Sequence, residues 1–338
     1  MSCHWLSAMA KSKMLRLRLL LTLLLLLSLE PAAESAAPVR MMLQWTHQAQ
    51  FAGYYVALEK GFYKEQGLDV TIIQGGPGLE PGDYLVRGQA DFASLWLSTA
   101  LTRSEKDQPL VNVAQIVNSS NLVLVTRKQG NIGRPSDLTG KKISIWGGDF
   151  SAPYLAWLQA EKSQPEIYPQ YYSVNLFLQK GVDACSAMYY NEVHMLYQTG
   201  VDPEEVRLFF LREYGFGFPE DGIYATQNTV KQDPERAKAF RRASLAGWRY
   251  AEEHPDEALD IIMSYVEKWN VPTNRPHMKW MLEKILASVV PGTQDGWTFG
   301  TLSKQDYERT VQILRQQGRL TQAPDYEVFT GGGLGYVP

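Results

Sequence analysis

The sequence VRMMLQWTHQAQFAGYYVALEKGFYKEQGLDVTII, residues 39–73, predicts a strand, a helix and a second strand in close succession. Residues 39–45 are mostly apolar and predict the first strand, and residues 68–73 predict the second. The segment between them, residues 53–63, has one apolar face at helical spacing, formed by Tyr54, Ala57, Leu58, Gly61 and Phe62. Gly67 ends the helical segment. The order strand, helix, strand favours an α/β fold.

The rest of the chain extends this pattern and then changes character. Further strands are predicted at 92–94, 111–117, 122–126, 142–146 and 183–187. Long amphipathic helices are predicted at 234–253, 256–268, 275–288 and 304–317. Alternating strands and helices favour mainly parallel sheets. Because the helices are concentrated after the strands, we expect two α/β lobes with a helical tail packed on one of them.

The N-terminal segment has the order of a secretory signal. It begins with a basic region that contains Lys11, Lys13, Arg16 and Arg18. A leucine-rich run over 19–29 and small residues over 32–37 follow it. We therefore predict a signal peptide over 1–37 and export to the periplasm, with cleavage after Ala33, Ser35 or Ala37 left open. A retained N-terminal anchor is the alternative.

Charge and cysteine content exclude several classes of protein. The formal net charge is −3, so no basic surface for nucleic acid or anionic lipid is expected. The chain has two cysteines, and cleavage of the signal would leave only Cys185, which permits neither an intramolecular disulfide nor a thiolate metal cage. We expect a monomer that carries no metal and no cofactor.

Four segments place aromatic and hydrogen-bonding side chains where predicted strands pass into helices. They cover residues 44–55, 94–98, 146–151 and 188–194. Ligands of open α/β sheets bind at the carboxyl ends of strands, where such junctions lie. The candidate ligand-binding residues are Trp45, His47, Phe51, Tyr54, Trp96, Trp146, Gly147, Gly148, Tyr189, Tyr190, Asn191 and Glu192. For any one of these aromatic residues taken alone, packing in the core is the alternative.

The charges in these segments narrow the ligand. The four segments contain no Lys or Arg and two carboxylates, Asp149 and Glu192. Anionic ligands are usually met by Arg or Lys, so a flat ring with N–H donors fits better, with Glu192 as the acceptor. Gly147 and Gly148 could offer backbone N–H groups to an anion, but two glycines are a weak signal and a tight turn is the preferred interpretation.

No catalytic or metal-binding residues are predicted. The sequence lacks a Gly-x-Ser-x-Gly, a His-Glu-x-x-His and a phosphate-binding Gly-Lys-Ser/Thr loop. His47 has no second metal ligand at suitable spacing, and Cys185 falls in a predicted buried strand. His194 follows Glu192 by two residues, a spacing that directs the pair to different sides of a helix. His254 and His277 are predicted on the surface of helices.

Several motifs resemble the thiamine-precursor-binding family of periplasmic proteins, which is related to the aliphatic-sulfonate binders and to the fungal pyrimidine synthase. The motifs are QWT at 44–46, GYYVA at 53–57, KGFY at 60–63, EQGLDV at 65–70, ADFA at 90–93, DLTGKKI at 137–143, VDA at 182–184 and PERAKAF at 234–240. The resemblance covers nearly all of residues 39–325.

The resemblance implies a type II periplasmic-binding-protein fold, in which two α/β lobes close over a ligand cleft. Lobe I would comprise 38–124 and 225–338, and lobe II 125–224. It also implies that the ligand is an aminopyrimidine held between aromatic walls and by a carboxylate. By position, Trp45, Tyr190 and Glu192 match these groups. An ABC permease in the membrane would be the protein partner.

The chain departs from the fungal synthase at the positions that carry its chemistry. Phe51 stands where that enzyme has its reactive histidine, and residues 212–222 lack its cysteine-rich run. The resemblance therefore implies a binding protein and not an enzyme. Three alternatives remain: the same fold with another ligand (a flavin, a sulfonate or nitrate), a sensory partner of a membrane receptor, and a synthase-like enzyme.

Overall fold

The computed structural model describes residues 36–106, 109–290 and 298–332. Apart from its last two residues, the predicted signal peptide lies outside these ranges. No helix within them is both long enough and apolar enough to cross a membrane.

The first sheet has five strands in the order β2-β1-β3-β10-β4. They are β1 (Ala37–Met42), β2 (Leu68–Ile73), β3 (Phe92–Trp96), β4 (Leu110–Gln115) and β10 (Asp221–Thr226). Strand β3 runs parallel to β1, whereas β10 runs antiparallel to both of its neighbours. The last strand therefore returns from the other half of the chain and inserts between β3 and β4.

The second sheet repeats this arrangement with the order β7-β6-β8-β5-β9. Its strands are β5 (Leu122–Arg127), β6 (Lys142–Trp146), β7 (Glu166–Gln170), β8 (Ala184–Met188) and β9 (Val206–Phe210). Strand β6 is parallel to β7 and β8, but β5 is antiparallel to β8 and β9. Strands β1, β3 and β4 of the first sheet therefore share one direction, as do β6, β7, β8 and β9 of the second, which agrees with the prediction of mainly parallel sheets. Only β10 and β5, the strands that enter from the crossovers, run against their neighbours.

Helices cover the sheets and form the C-terminal tail. Those that accompany the strands are α1 (Ala52–Glu59), α2 (Phe62–Glu65), α3 (Pro81–Val86), α4 (Leu97–Lys106), α5 (Ala152–Ala160), α6 (Asn175–Leu178) and α7 (Glu192–Gln198). Those of the tail are α8 (Gln227–Gln232), α9 (Pro234–Glu253), α10 (Pro255–Lys268), α11 (Arg275–Val289), α12 (Lys304–Gln316) and α13 (Tyr326–Phe329). The predicted α/β fold with a helical tail is confirmed.

Helix α9 of the tail packs closely on α1 and on strand β3 of the first sheet. A Cβ atom at Gly247 on α9 would lie 2.1 Å from the carbonyl oxygen of Gly53 on α1, so glycine is required for this approach. The rings of Phe92 on β3 and Phe240 on α9 stack with centroids 4.1 Å apart. These contacts fix α1, and with it the segment between β1 and α1 that carries Trp45.

Two crossovers connect the sheets, one between β4 and β5 and the other between β9 and β10. Glu220 of the second crossover accepts hydrogen bonds from the first, at 2.5 Å from the Asn121 backbone N–H and 3.0 Å from the Ser120 hydroxyl. A single buried carboxylate thus ties the two crossovers together. The division of the chain into lobes at residues 124 and 224 stays a prediction.

Candidate functional site

Side chains from four strand ends surround a cavity of about 530 Å³ between the two sheets. Six of the predicted binding residues line it, namely Trp45, Trp96, Trp146, Tyr190, Asn191 and Glu192. These residues lie at or just beyond the carboxyl ends of β1, β3, β6 and β8. They meet because the carboxyl ends of these strands face one another across the crossovers. The structure therefore brings together one or more residues from each of the four segments.

The cavity opens into a larger outer hollow of about 1270 Å³. The two spaces share Gln44, Trp45, Trp146, Phe150 and Tyr172. The predicted residues Gly147 and Gly148 line the outer hollow and not the inner cavity.

Four predicted residues, His47, Phe51, Tyr54 and Tyr189, line neither the inner cavity nor the outer hollow. His47 is 1% exposed, and its Nδ1 lies 2.6 Å from the Tyr55 hydroxyl. Phe51 and Tyr54 are buried, with Tyr54 packed edge-on against Trp248. They point into the core because α1 is covered by α9. The burial of His47 lowers its pKa to about 4, so it is neutral at physiological pH.

The ring of Tyr189 also faces away from the cavity. It packs against Phe210 and Trp280, with ring centroids 5.1 and 5.6 Å away. Since Tyr190 lines the cavity, the two adjacent tyrosines point in different directions, as successive residues after a strand do. Sequence reasoning could not distinguish them.

Glu192 is the carboxylate of the inner cavity. Its Oε2 accepts a hydrogen bond from the Met188 backbone N–H at 2.8 Å, and its Oε1 accepts one from Asn191 Nδ2 at 2.9 Å. Burial raises its pKa above the usual value, whereas these two hydrogen bonds favour the ionised form. Each oxygen thus has one protein donor and can accept another from a ligand.

Gln50 and Asp221 form a second polar group at the cavity. Gln50 lines the cavity, and its Nε2 donates to Asp221 Oδ2 at 3.3 Å. Asp221 is 3% exposed, and its Oδ1 has no hydrogen-bond partner among the described residues. Because the amide nitrogen of Gln50 is engaged, its carbonyl oxygen is available as a second acceptor for a ligand.

Aromatic pairs connect the two sides of the cleft. Trp45, after β1, lies 4.8 Å from Tyr172, after β7, measured between ring centroids. Trp96, at the end of β3, meets Phe150 edge-on at 4.3 Å. Each pair joins a residue of the first sheet's side to one of the second, so the cavity is walled by rings from both sides. Tyr172 was not predicted, because it lies in an exposed segment without a periodic signal.

Cationic side chains do not reach these spaces. None of the described residues that line the inner cavity or the outer hollow is Lys or Arg. Arg319 lies nearby, but its guanidinium donates to the Gly148 carbonyl at 2.7 Å and to the Ser151 hydroxyl at 2.8 Å. The arrangement can accept hydrogen bonds and stack rings, and it lacks a counter-ion for an anion.

Metal ligands and the cysteine thiol are further groups that can take part in chemistry. Among the described residues, no three His, Cys, Asp or Glu side chains come together as a metal ion would require. Cys185 is buried in β8, where burial raises the pKa of its thiol far above the ordinary value and suppresses its reactivity.

Two α/β halves with a cleft between them are the fold of the periplasmic binding proteins. The fold agrees with the crystal structure of the periplasmic aliphatic sulphonate binding protein SsuA from Escherichia coli, with a TM-score of 0.65 and 12% identity over 86% of this chain and 91% of that one. The chain belongs to the NMT1/THI5 like family, whose sequence model matches residues 48–258. The predicted resemblance is thereby confirmed.

Relatives in this family carry different names. The chain is 28% identical to the formylaminopyrimidine-binding protein of Halalkalibacterium halodurans over 71% of this chain and 74% of that protein. It is 24% identical to the riboflavin-binding protein RibY of Chloroflexus aurantiacus, over 88% of each. A third relative, from Legionella pneumophila, is named 4-amino-5-hydroxymethyl-2-methylpyrimidine phosphate synthase, with 22% identity over 66% of this chain and 72% of that protein.

Proposed function

We propose that the chain is the exported solute-binding component of an ABC importer and binds a flat, amino-substituted heterocycle such as a thiamine-precursor pyrimidine. One observation carries the proposal: the partly buried carboxylate Glu192 lies in a ring-walled cavity whose described lining contains no cation.

The polar groups support a ligand that donates hydrogen bonds. Glu192 and the carbonyl oxygen of Gln50 both act as acceptors at the cavity. An amino group on a ring would fill the remaining acceptor capacity of Glu192, whereas an analogue without it would desolvate the carboxylate and return no hydrogen bond from the ligand. Trp45 and Tyr190 supply faces on which the ring can stack.

The relatives support a heterocycle over an anion. The protein from H. halodurans is named for a formylaminopyrimidine, and the aliphatic sulphonate binder from E. coli shares the fold at only 12% identity. A sulfonate or nitrate is usually met by Arg or Lys, and none of the described residues that line either hollow is one of these. Catalysis is not part of the proposal, since Phe51, at the position of the fungal synthase's histidine, is fully buried.

Delivery to a permease would follow closure of the two lobes, 38–124 with 225–338 and 125–224. A ligand that contacts Trp45 on one side and Glu192 on the other favours the closed form by its higher affinity for that form. The closed monomer would then dock on the membrane permease. The export signal in residues 1–37 would place it in the periplasm.

A second ligand class deserves a direct comparison. The outer hollow of about 1270 Å³ adjoins the inner cavity, and a relative along 88% of the chain is named a riboflavin-binding protein. An isoalloxazine ring also carries an N–H donor and has a larger flat surface. Titration with riboflavin distinguishes this candidate from a pyrimidine.

The test of the proposal is the loss of affinity when the carboxylate is removed. We expect Glu192→Ala to weaken aminopyrimidine binding at least about tenfold, because a hydrogen bond to a charged group is lost. Isothermal titration calorimetry measures this loss. The matched control is Glu205→Gln, a change at an exposed position between α7 and β9 that should leave the affinity unchanged. Equal affinities for the wild type and Glu192→Ala would refute the assignment.

A further inference from the structure

Helix α11 of the tail contacts α7 and the turn of residues 189–191 that precedes it, on the second sheet's side of the cleft. It also contacts the 3-10 turn Ala49–Phe51 and α10, elements on the first sheet's side. Its first turns form four polar contacts with the other side, namely Asn274 with Gln198, His277 with His194, His277 with Asn191, and Trp280 with the Tyr189 carbonyl. The distances lie between 2.8 and 3.1 Å.

His277 is the centre of this contact and was predicted on the surface. It is only 6% exposed, and the ring of His194 lies beside it with 5.1 Å between centroids and 14° between the ring planes. Trp280 stacks on His194 at 4.9 Å. The surface prediction for His277 is wrong, since the helix face it occupies meets α7 and not solvent.

The hydrogen bonds form a chain in which His194 donates to His277, His277 to Asn191, and Asn191 to Glu192. Asn191 donates from Nδ2 to Glu192 Oε1, so Asn191 Oδ1 accepts from His277 Nε2–H at 2.9 Å. The Nδ1 of the neutral His277 ring is then unprotonated and accepts from His194 Nδ1–H at 2.8 Å. Burial lowers the pKa of His277 to about 4, which is consistent with a neutral ring in this chain.

We propose that His277 is a positioning residue for ligand recognition: it holds the Asn191 amide so that Glu192 remains a hydrogen-bond acceptor towards the cavity. This inference rests on the proposed function and deepens it. The free carboxylate oxygens then select rings that carry an N–H donor. Because His277 belongs to a helix that packs on the first sheet's side, the acceptor is fully positioned only when α11 and α7 are in contact.

The test compares two ligands that differ in one amino group. The first probe is 4-amino-5-hydroxymethyl-2-methylpyrimidine, and the second is the same molecule without its amino group. In the wild type we expect the first probe to bind more tightly. In His277→Leu this preference should shrink roughly tenfold, with the affinity for the second probe little changed. Calorimetry on the full-length mature protein gives both affinities.

Two further variants keep the test decisive. His277→Gln keeps an N–H that can donate to Asn191, so we expect it to retain most of the preference. His277→Met removes the same donor with an unbranched side chain and replaces the leucine variant if that protein does not fold. A loss of affinity that is equal for both probes would show a merely structural role and overturn the inference.

The failure of this inference is distinguishable from that of the proposed function. If Glu192→Ala abolishes the preference for the amino group and His277→Leu does not, the binding site stands and the role of His277 falls. If neither change affects the preference, the proposed donor recognition by Glu192 falls as well.

Discussion

At the scale of single residues, two adjacent buried carboxylates dominate the electrostatics of the crossovers. Glu220 and Asp221 are 2% and 3% exposed and follow one another where the chain returns to the first sheet. Burial raises the pKa of Glu220 to about 8 and that of Asp221 to about 7, since neither has a cationic partner among its described hydrogen bonds. Both groups therefore hold protons in the folded protein that the unfolded chain releases.

This predicts that the free energy of unfolding falls as the pH rises from 5 to 8. The usual pKa of Asp is 3.8, so the contribution of Asp221 is complete below that value and is lost as the pH passes through about 7. Buried neutral histidines make the free energy of unfolding rise with pH. The test therefore compares the pH dependence of a variant with that of the wild type. Between pH 5 and pH 8, the free energy of unfolding of Asp221→Asn should fall by roughly 2 kcal/mol less than that of the wild type.

Urea denaturation at pH 5 and pH 8 measures this difference. Asp69→Asn, at an exposed position on β2, is the matched control and should follow the wild type. An identical pH dependence for Asp221→Asn and the wild type would show that Asp221 does not hold its proton in the folded state.

The sequence located the site residues that follow strands directly. Trp45, Trp146 and Tyr190 lie at or just beyond the ends of β1, β6 and β8, and strand ends are readable from apolar runs. His47 and Tyr54 were misplaced relative to the inner cavity, because the turn into α1 directs them to the core. Gln50 could not be paired with Asp221 from sequence, since the two are separated by 171 positions and meet only through the crossover.

At the scale of elements, the contact of α1 with α9 holds the Trp45 segment in place. Gly53 and Gly247 allow the two helices to approach until backbone touches backbone. The added Cβ at Gly53 would lie 2.2 Å from the indole of Trp248. A side chain at either position must therefore separate the helices.

We expect Gly247→Ala to lower the free energy of unfolding by roughly 2 kcal/mol or more, because overpacking outweighs the better helix propensity of alanine. The control is Gly147→Ala: Gly147 has a φ of −81°, and no atom lies within 4 Å of its added Cβ. It should change stability by less than about 0.5 kcal/mol. Chemical denaturation measures both, and an unchanged Gly247→Ala would contradict the described helix contact.

The starts of the tail helices were predicted well, and three of the strands were missed. The predicted starts at residues 234, 275 and 304 agree with those of α9, α11 and α12, where Asp233, Asn274 and Ser303 accept hydrogen bonds from the first turns. Strands β7, β9 and β10 were not predicted. Strands β7 and β9 are partly exposed edge strands of the second sheet and lack the continuous apolar runs of β5 or β8. Strand β10 is buried between β3 and β4, but Asp221 and Gly222 open it and shorten its apolar run.

At the scale of the whole molecule, the cleft combines apolar walls with acceptors and excludes cations from its described lining. Two contacts bridge the cleft, one between Trp45 and Tyr172 and the other between His277 and Asn191. A ligand that adds stacking and a hydrogen bond to Glu192 would strengthen the closed arrangement. The charge of the cleft, more than its volume, separates the proposed heterocycle from the anionic ligands of proteins that share the fold.

The central claim is that this cleft recognises an N–H donor on a flat ring. Calorimetric titration of the mature protein with 4-amino-5-hydroxymethyl-2-methylpyrimidine, riboflavin, ethanesulfonate and nitrate tests it in one experiment. The account predicts saturable binding of one molecule of a heterocycle, with the aminopyrimidine favoured, and no binding of either anion. Binding of ethanesulfonate or nitrate without binding of a heterocycle would contradict it.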